Sequence, residues 1–464
     1  LATGKKTDVD GAPEGLAEED GKKDKGKEDG KRGGGGKSPD GNWTVRVEAK
    51  RTVVLKDADG NERMLGVALP QGWILEDRVS WSPLGDRFVV WRRPNHEVRE
   101  VHYVRSSPKD QLQPQHFTNR YPKPGDKLNV PRPVVCYLDE RAPLLLDEEL
   151  VKDPFSIDEV RWRADGKRLT CEFIERGFGR VCVIEMDSEK RSQRHVVEEK
   201  SETFINVYHK GYRHDFDEGA EILWLSERDG WNHLYLLSGE TGEVVTQLTS
   251  GEWIVRGVEK VDVERREVLI RLSGYHDGQD PYWIHWARLG IGGGELDRGE
   301  LVLLTDGAGT HELKFSPDRE HYVDSWSRVD APPVHELRRS QDGKLVTVLE
   351  KADASELEAA GWIAPERFVC KDRNGKFDIH GIIHRPPGFD PEKSYAIIEK
   401  IYAGPHGSFV PKGWRTWHGG AAEMAAAGFI VVQIDGLGTS NRCREFHHFA
   451  YRNLMDSGFP DRIK

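Results

Sequence analysis

The stretch VSWSPLGDRFVVWR, residues 79–92, decides the fold. An aromatic lead runs into a tight turn built on Pro83 and Gly85, and a strand rich in β-branched and aromatic residues follows. Asp and Gly tolerate the backbone angles that reverse one strand into the next, so the phrase has a mechanical reading. It also recurs. KSPDGNWTVRVE (37–48), VRWRADGKRLTCEF (160–173) and LKFSPDREHYVDSW (313–326) keep the same order of lead, turn and strand.

The spacing of these repeats points to an architecture. Pro39 to Pro83 is 44 positions, Pro83 to Ala164 is 81, and Ala164 to Pro317 is 153. Those distances fit one, two and between three and four units of the ~40–45 residues in a four-stranded propeller blade. Over roughly 320 residues the period gives seven or eight blades. Between the repeats, RVCVIEMD (180–187), EILWLSE (221–227), NHLYLLS (232–238) and REVLIRLSG (266–274) have the length and composition of strands, and helical periodicity is scarce. The expectation is a mostly β chain with a β-propeller over residues 38–365, a pair of β-sandwiches being the alternative.

Residues 1–37 are Gly, Lys, Asp and Glu in mixed order. Such a segment cannot bury enough apolar surface to offset its chain entropy, so it reads as a disordered polar tether. At 464 residues the chain is long enough for two or more domains. A net charge of -11 argues against a nucleic-acid partner, which would require a basic face for phosphates. The five cysteines are scattered, without CxxC spacing, and read as free and mostly buried thiols. No apolar run approaches the ~20 residues that span a bilayer, and no signal-peptide pattern is visible. The chain starts at Leu and reads as a fragment, so its compartment is not legible.

Past Phe368 the grammar changes. FDIHGIIHRP (377–386) reads as a strand, YAIIEKIYAGP (395–405) as a strand and loop, and GWRTWHGGAAEMAAAGF (413–429) as an Ala-rich helix closed by Gly428. IVVQIDGLG (430–438) is an unbroken apolar strand, and REFHHFAYRNLMDSGF (444–459) begins another helix. Strand and helix in alternation, with continuously apolar strands, lead to the expectation of a parallel sheet covered on both faces over residues 366–464.

Open parallel sheets place ligand groups beyond the carboxyl ends of their strands. Two loops lie there, the one after Ile401 and DGLGTSNR after Ile434. Tyr402 is either a phenol donor aimed at developing negative charge or a strand-end ring that packs. His406, His418, His447 and His448 fall close in sequence but lack HExxH spacing, so structural roles are expected and no metal. DGLGTS lacks the lysine of a phosphate loop. No GxSxG pentapeptide occurs anywhere in the chain.

SERDGWNHLYL (226–236), LTSGEW (248–253), FSPD (315–318), IYAGP and the DGLGTSNR strand-loop together resemble the prolyl oligopeptidase family of serine peptidases, and most of all its dipeptidyl peptidase IV branch and bacterial relatives. The resemblance runs from about Trp43 to Lys464. It implies a propeller chamber over the start of an α/β-hydrolase domain, a peptide substrate, no cofactor, and a homodimer in the full-length enzyme. Tyr402 matches the oxyanion-hole tyrosine, while the serine, aspartate and histidine of the triad would follow Lys464. Peptidases of this branch hold the substrate's amino terminus with paired glutamates ahead of a WSP turn, and here that segment offers Glu76 and Asp77. A propeller binding module with a degenerate hydrolase half, or an esterase on the same scaffold, are the competing functions.

Overall fold

The computed structural model describes residues 36–464. Of the expected tether, residues 1–35 lie outside the described residues. Gly36 and Lys37 already join the first sheet: the Gly36 carbonyl accepts from Val45 N at 2.6 Å and from Trp81 Nε1 at 3.0 Å.

The repeat of the sequence is a repeat of hydrogen bonds. In each turn the first residue's N–H donates to the carbonyl of the sixth: Ser38 to Trp43 (2.8 Å), Ser82 to Arg87 (3.0 Å), Arg163 to Arg168 (2.8 Å) and Ser316 to His321 (2.9 Å). The fourth residue's N–H returns to the first carbonyl, from Gly41, Gly85, Gly166 and Arg319 at 2.9 to 3.0 Å. That fourth position has φ of 78°, 73°, 64° and 58° in turn, which is why three of the four are glycine. The turns also nest, since Ser82 Oγ donates to the Gly166 carbonyl at 2.6 Å.

Each turn opens or continues an antiparallel sheet whose strands follow in chain order. One sheet of three strands (Trp43–Glu48, Thr52–Asp57, Glu62–Leu65) precedes five of four strands, spanning residues 73–145, 154–200, 213–247, 254–303 and 310–351. Consecutive sheets stack face to face. Phe88 and Val90 pack toward Val53 and Leu55 of the first sheet, whereas Val89 and Trp91 of the same strand pack toward Phe173 and Ile184 of the third. The strand Arg180–Asp187 repeats this, with Ile184 and Met186 on one side and Val181 and Val183 on the other, against Ile222 and Leu237. A strand buried on both faces reads as an unbroken apolar run, and this is the propeller stacking that the repeats foretold.

The blade count differs from expectation. Six such sheets occur among the described residues, against the seven or eight that the period suggested. One reason lies in the second sheet: between Arg87–Pro94 and Arg132–Tyr137 the chain leaves it to form a separate hairpin, Glu100–Arg105 with Gln115–Arg120. That hairpin is exposed on nearly every residue, and Tyr103 stacks on Phe117 at 5.3 Å. It consumes a blade's length of sequence without making a blade.

The remaining sheet is mixed rather than parallel. Its order is Glu366–Lys371, Asp378–His384, Ile430–Ile434, Ile397–Glu399, and only the last pair runs parallel. The turn through Asp372 and Gly375 returns the chain at once, so its first two strands must be antiparallel. The helix Ala421–Ala426 ends before Gly428 (φ 101°) as expected. The helix expected over 444–459 is shorter: Arg444–His448, with left-handed angles at Arg452 and Ser457 breaking its continuation before Phe459–Ile463. All five cysteines are free, and only Cys370 is exposed. Among the described residues no helix is long and apolar enough to cross a membrane.

Candidate functional site

The loop after the edge strand carries Tyr402. Its ring lies 4.5 Å from Phe409 and 5.5 Å from His406, centroid to centroid, in edge-on contacts. The residue is 59% exposed, and among the described residues no hydrogen bond engages its hydroxyl. Gly404 (φ 125°) makes the bend that a side chain would strain. Fully buried Asp435, at the end of the neighbouring strand, accepts the N–H groups of Phe409 (2.7 Å) and Val410 (3.1 Å). Burial raises the pKa of Asp435, against the pull of Lys412 and these two N–H groups. Gln433 Nε2 donates to the Phe409 carbonyl at 2.9 Å, Ser440 N to Gly407 at 2.9 Å, and Asn441 Nδ2 to Ser408 Oγ at 2.8 Å. The two strand-end loops singled out in the sequence are therefore one hydrogen-bonded unit. The ring of Tyr402 is positioned while its phenol stays available.

This unit leans on the propeller through the helix Arg444–His448. Arg444 N donates to the Gly230 carbonyl at 2.8 Å, and its guanidinium donates to Ser201 Oγ at 3.0 Å. Phe204 stacks on His448 at 4.2 Å, and Thr203 Oγ1 meets His448 Nδ1 at 2.5 Å. Lys210, buried in the helix Val207–Lys210, donates to Glu227 Oε1 at 2.5 Å and to His447 Nδ1 at 3.2 Å. His447 Nε2–H donates in turn to the Pro405 carbonyl at 2.7 Å, inside the Tyr402 loop. Burial and then the Lys210 charge bring the His447 pKa down to about 3, so the ring is neutral and its tautomer is set by its two partners. Burial pushes Glu227 up, but Lys210 and His448 outweigh it and hold the carboxylate at about 2. One donor atom each of Glu227, His447 and His448 lie within 4.8 Å of one another, a set that could hold a metal ion. The Lys210 ammonium already sits on two of the three, so the cluster has a cation of its own.

The histidines near in sequence are thus not one site. His406 touches Tyr402, His447 and His448 dock the helix, and buried His418 lies against His384 at 5.3 Å. Glu76 and Asp77 lie elsewhere, in the strand Trp73–Trp81 at an irregularity of its pairing. Glu76 is bound by Arg93 Nε at 2.8 Å, and Asp77 is exposed. Lys210, Glu227 and Asp435 were not legible as site residues in the sequence. Their partners are remote in the chain, His447 being 237 positions from Lys210.

Between the third, fourth and fifth sheets and the docking helix lies a cavity of about 730 Å³, with Arg256, Trp224 and Glu227 on its propeller side and Arg444 and His448 on the other. A propeller wall, a cavity, and a loop presenting a phenol beyond the strands of a mixed sheet thus stand together in one chain. The chain belongs to the family of the dipeptidyl peptidase IV (DPP IV) N-terminal region, whose model matches residues 64–333. It is 24% identical over 449 residues to the Emericella nidulans protein named "Probable dipeptidyl peptidase 4", covering 89% of this chain and 55% of that one. It is 25% identical over 462 residues to the Aspergillus oryzae protein named "Probable dipeptidyl-aminopeptidase B", covering 91% and 49%. The crystal structure of Porphyromonas gingivalis dipeptidyl peptidase 4 superposes with a TM-score of 0.68 at 20% identity, over 92% of this chain and 60% of that one. The chain therefore spans about half the length of the curated relatives it matches. The resemblance expected from the sequence phrases is met.

Proposed function

We propose that this chain is the propeller and the opening hydrolase segment of a serine exopeptidase acting on short peptides, with Tyr402 as an oxyanion donor. The observation that carries the reading is the unengaged hydroxyl of Tyr402 on a loop whose backbone is tied down by Asp435, Gln433, Ser440 and His447. In acyl transfer a serine oxygen adds to the scissile carbonyl, and negative charge develops on the carbonyl oxygen. A phenol O–H and a backbone N–H already aimed at that position stabilise the charge without reorganising. The nucleophile, aspartate and histidine belong, in this reading, to sequence after Lys464. Release of dipeptides through Glu76 and Asp77 is the finer part of the proposal. A substrate ammonium would there compete with the Arg93 guanidinium for Glu76, and an unchanged KM in Glu76→Gln would remove that part.

The test is a serine-directed fluorophosphonate. Full-length protein should be labelled and should cleave peptide amides, while purified 1–464 should not be labelled. Full-length protein that neither labels nor cleaves, yet retains peptides, would leave the binding-module reading. Activity confined to simple esters would replace the peptidase with an esterase.

A further inference from the structure

Arg256 stands in the strand Ile254–Asp262, half-buried, and lines the cavity between the propeller and the docking helix. Other charges in that wall are matched. Arg161 pairs with Glu159 at 3.0 Å, Arg213 with Glu172 at 3.3 Å, Arg271 with Glu259, and Lys210 with Glu227 at 2.5 Å. Arg256 has no hydrogen bond and no carboxylate partner among the described residues, and the charge that acts on it most is the like charge of Arg271. The lining holds eight lysines and arginines against five glutamates, in a chain whose net charge is -11. The excess of positive charge is therefore local and lies in the cavity.

A half-buried cation beside another cation is costly unless something compensates it. Burial and then Arg271 bring its pKa down to about 10, which leaves it charged at neutral pH. Within the fold the Tyr282 hydroxyl offsets that cost only in part, and no carboxylate does. A guanidinium presents a planar fork that matches a carboxylate with two parallel hydrogen bonds, and a cavity of some 730 Å³ is of the size that holds small ligands. We infer that Arg256 is the receptor for a carboxylate of the peptide held in this cavity, so that the chamber selects anionic peptides. This rests on the peptidase reading for its ligand, though not for its geometry. Two sources share the chemistry: an acidic side chain, or a free carboxyl terminus.

The test measures binding, not turnover, so that a failure of the peptidase reading is seen separately. Full-length protein is titrated by calorimetry with three uncleavable, backbone N-methylated tripeptides. These are acetyl-Ala-Asp-Ala amide, acetyl-Ala-Ala-Ala with a free carboxylate, and acetyl-Ala-Ala-Ala amide. At least one anionic peptide should bind roughly tenfold to a hundredfold more tightly than the neutral one, the span of a hydrogen bond to a charged group. Which of the two gains identifies the source. In Arg256→Met the gain should vanish while the melting temperature stays level or rises, because an uncompensated charge has been removed. Arg256→Lys should keep part of the gain, having the charge without the fork. Equal binding of all three peptides by the parent, a gain that survives in Arg256→Met, or a lower melting temperature in Arg256→Met would each overturn the assignment, the last by revealing a structural partner.

Discussion

His447 donates to the Pro405 carbonyl across 2.7 Å and accepts from Lys210 across 3.2 Å, so one imidazole ties the loop bearing Tyr402 to a propeller side chain, as Lys412 does further along that loop through Asp280 at 2.9 Å. A carbonyl can only accept, and an ammonium can only donate. Neutral imidazole is the species that satisfies both ends.

Removing the phenol oxygen isolates its chemistry from its packing. In full-length Tyr402→Phe the contacts to Phe409 and His406 remain, so the melting temperature should hold and KM should move little. The value of kcat should fall roughly 10²- to 10³-fold, the cost of one lost oxyanion donor. Wild-type kcat in this variant would return Tyr402 to a packing role.

Breaking the imidazole link should act at a distance from the phenol. His447→Ala leaves the Pro405 carbonyl without its donor and should cost about 1–3 kcal/mol of stability, with kcat falling more than KM rises. Lys210→Met strands the Glu227 carboxylate in a buried site and should cost about 3–5 kcal/mol. Denaturant titration measures both, and equal losses would show that the two residues do not differ in what they leave behind.

Acid should unfold this protein earlier than its carboxylates alone would. Burial holds His285 and His447 at about 3, and His380 and His384 at about 4, against 6.5 in an open chain. The unfolded state binds more protons below pH 6.5, so the stability these groups confer is full above that value and is lost as pH falls toward 4 and then 3. Glu227, held at about 2 against 4.5, adds a loss of the same sign below pH 4.5. The melting temperature should drop steadily from pH 7 to pH 4.5, and less steeply in His384→Gln. A flat profile over that interval would contradict the buried, neutral state of these rings.

The nested turns can be probed by two matched substitutions. A Cβ on Gly85 meets nothing closer than 3.7 Å, so Gly85→Ala should cost only the left-handed strain, about 1 kcal/mol. On Gly166 it meets Leu84 Cγ at 2.5 Å and Ser82 Oγ at 2.7 Å, so Gly166→Ala should cost about 1–3 kcal/mol more. Equal losses would mean that the turns of adjoining blades do not interlock.

The parts of this fold that sequence could reveal are those whose partners are local. The SPDG-type turns close on themselves within six residues, and Gly85 and Gly166 announce the angle they adopt. The 100–120 hairpin defeated the period because its strands have strand composition but stack on no neighbouring blade. The sheet over 366–464 read as parallel because its strands are continuously apolar and alternate with a helix, but an antiparallel strand covered on both faces is apolar too, as buried Ile379 and Ile382 show. Tyr402 was legible as a strand-end residue. Its fastening was not, since Asp435 is 26 positions from Phe409 and Lys210 is far from His447. Arg256 could not stand out at all, because having no partner is a property of three dimensions.

The Lys210–His447–Pro405 chain has one more implication. A change at Lys210 that reshapes the cavity wall also reaches the backbone of residue 405, so the cavity and the loop are altered together. Homologues that retune one should carry compensating changes along those two contacts.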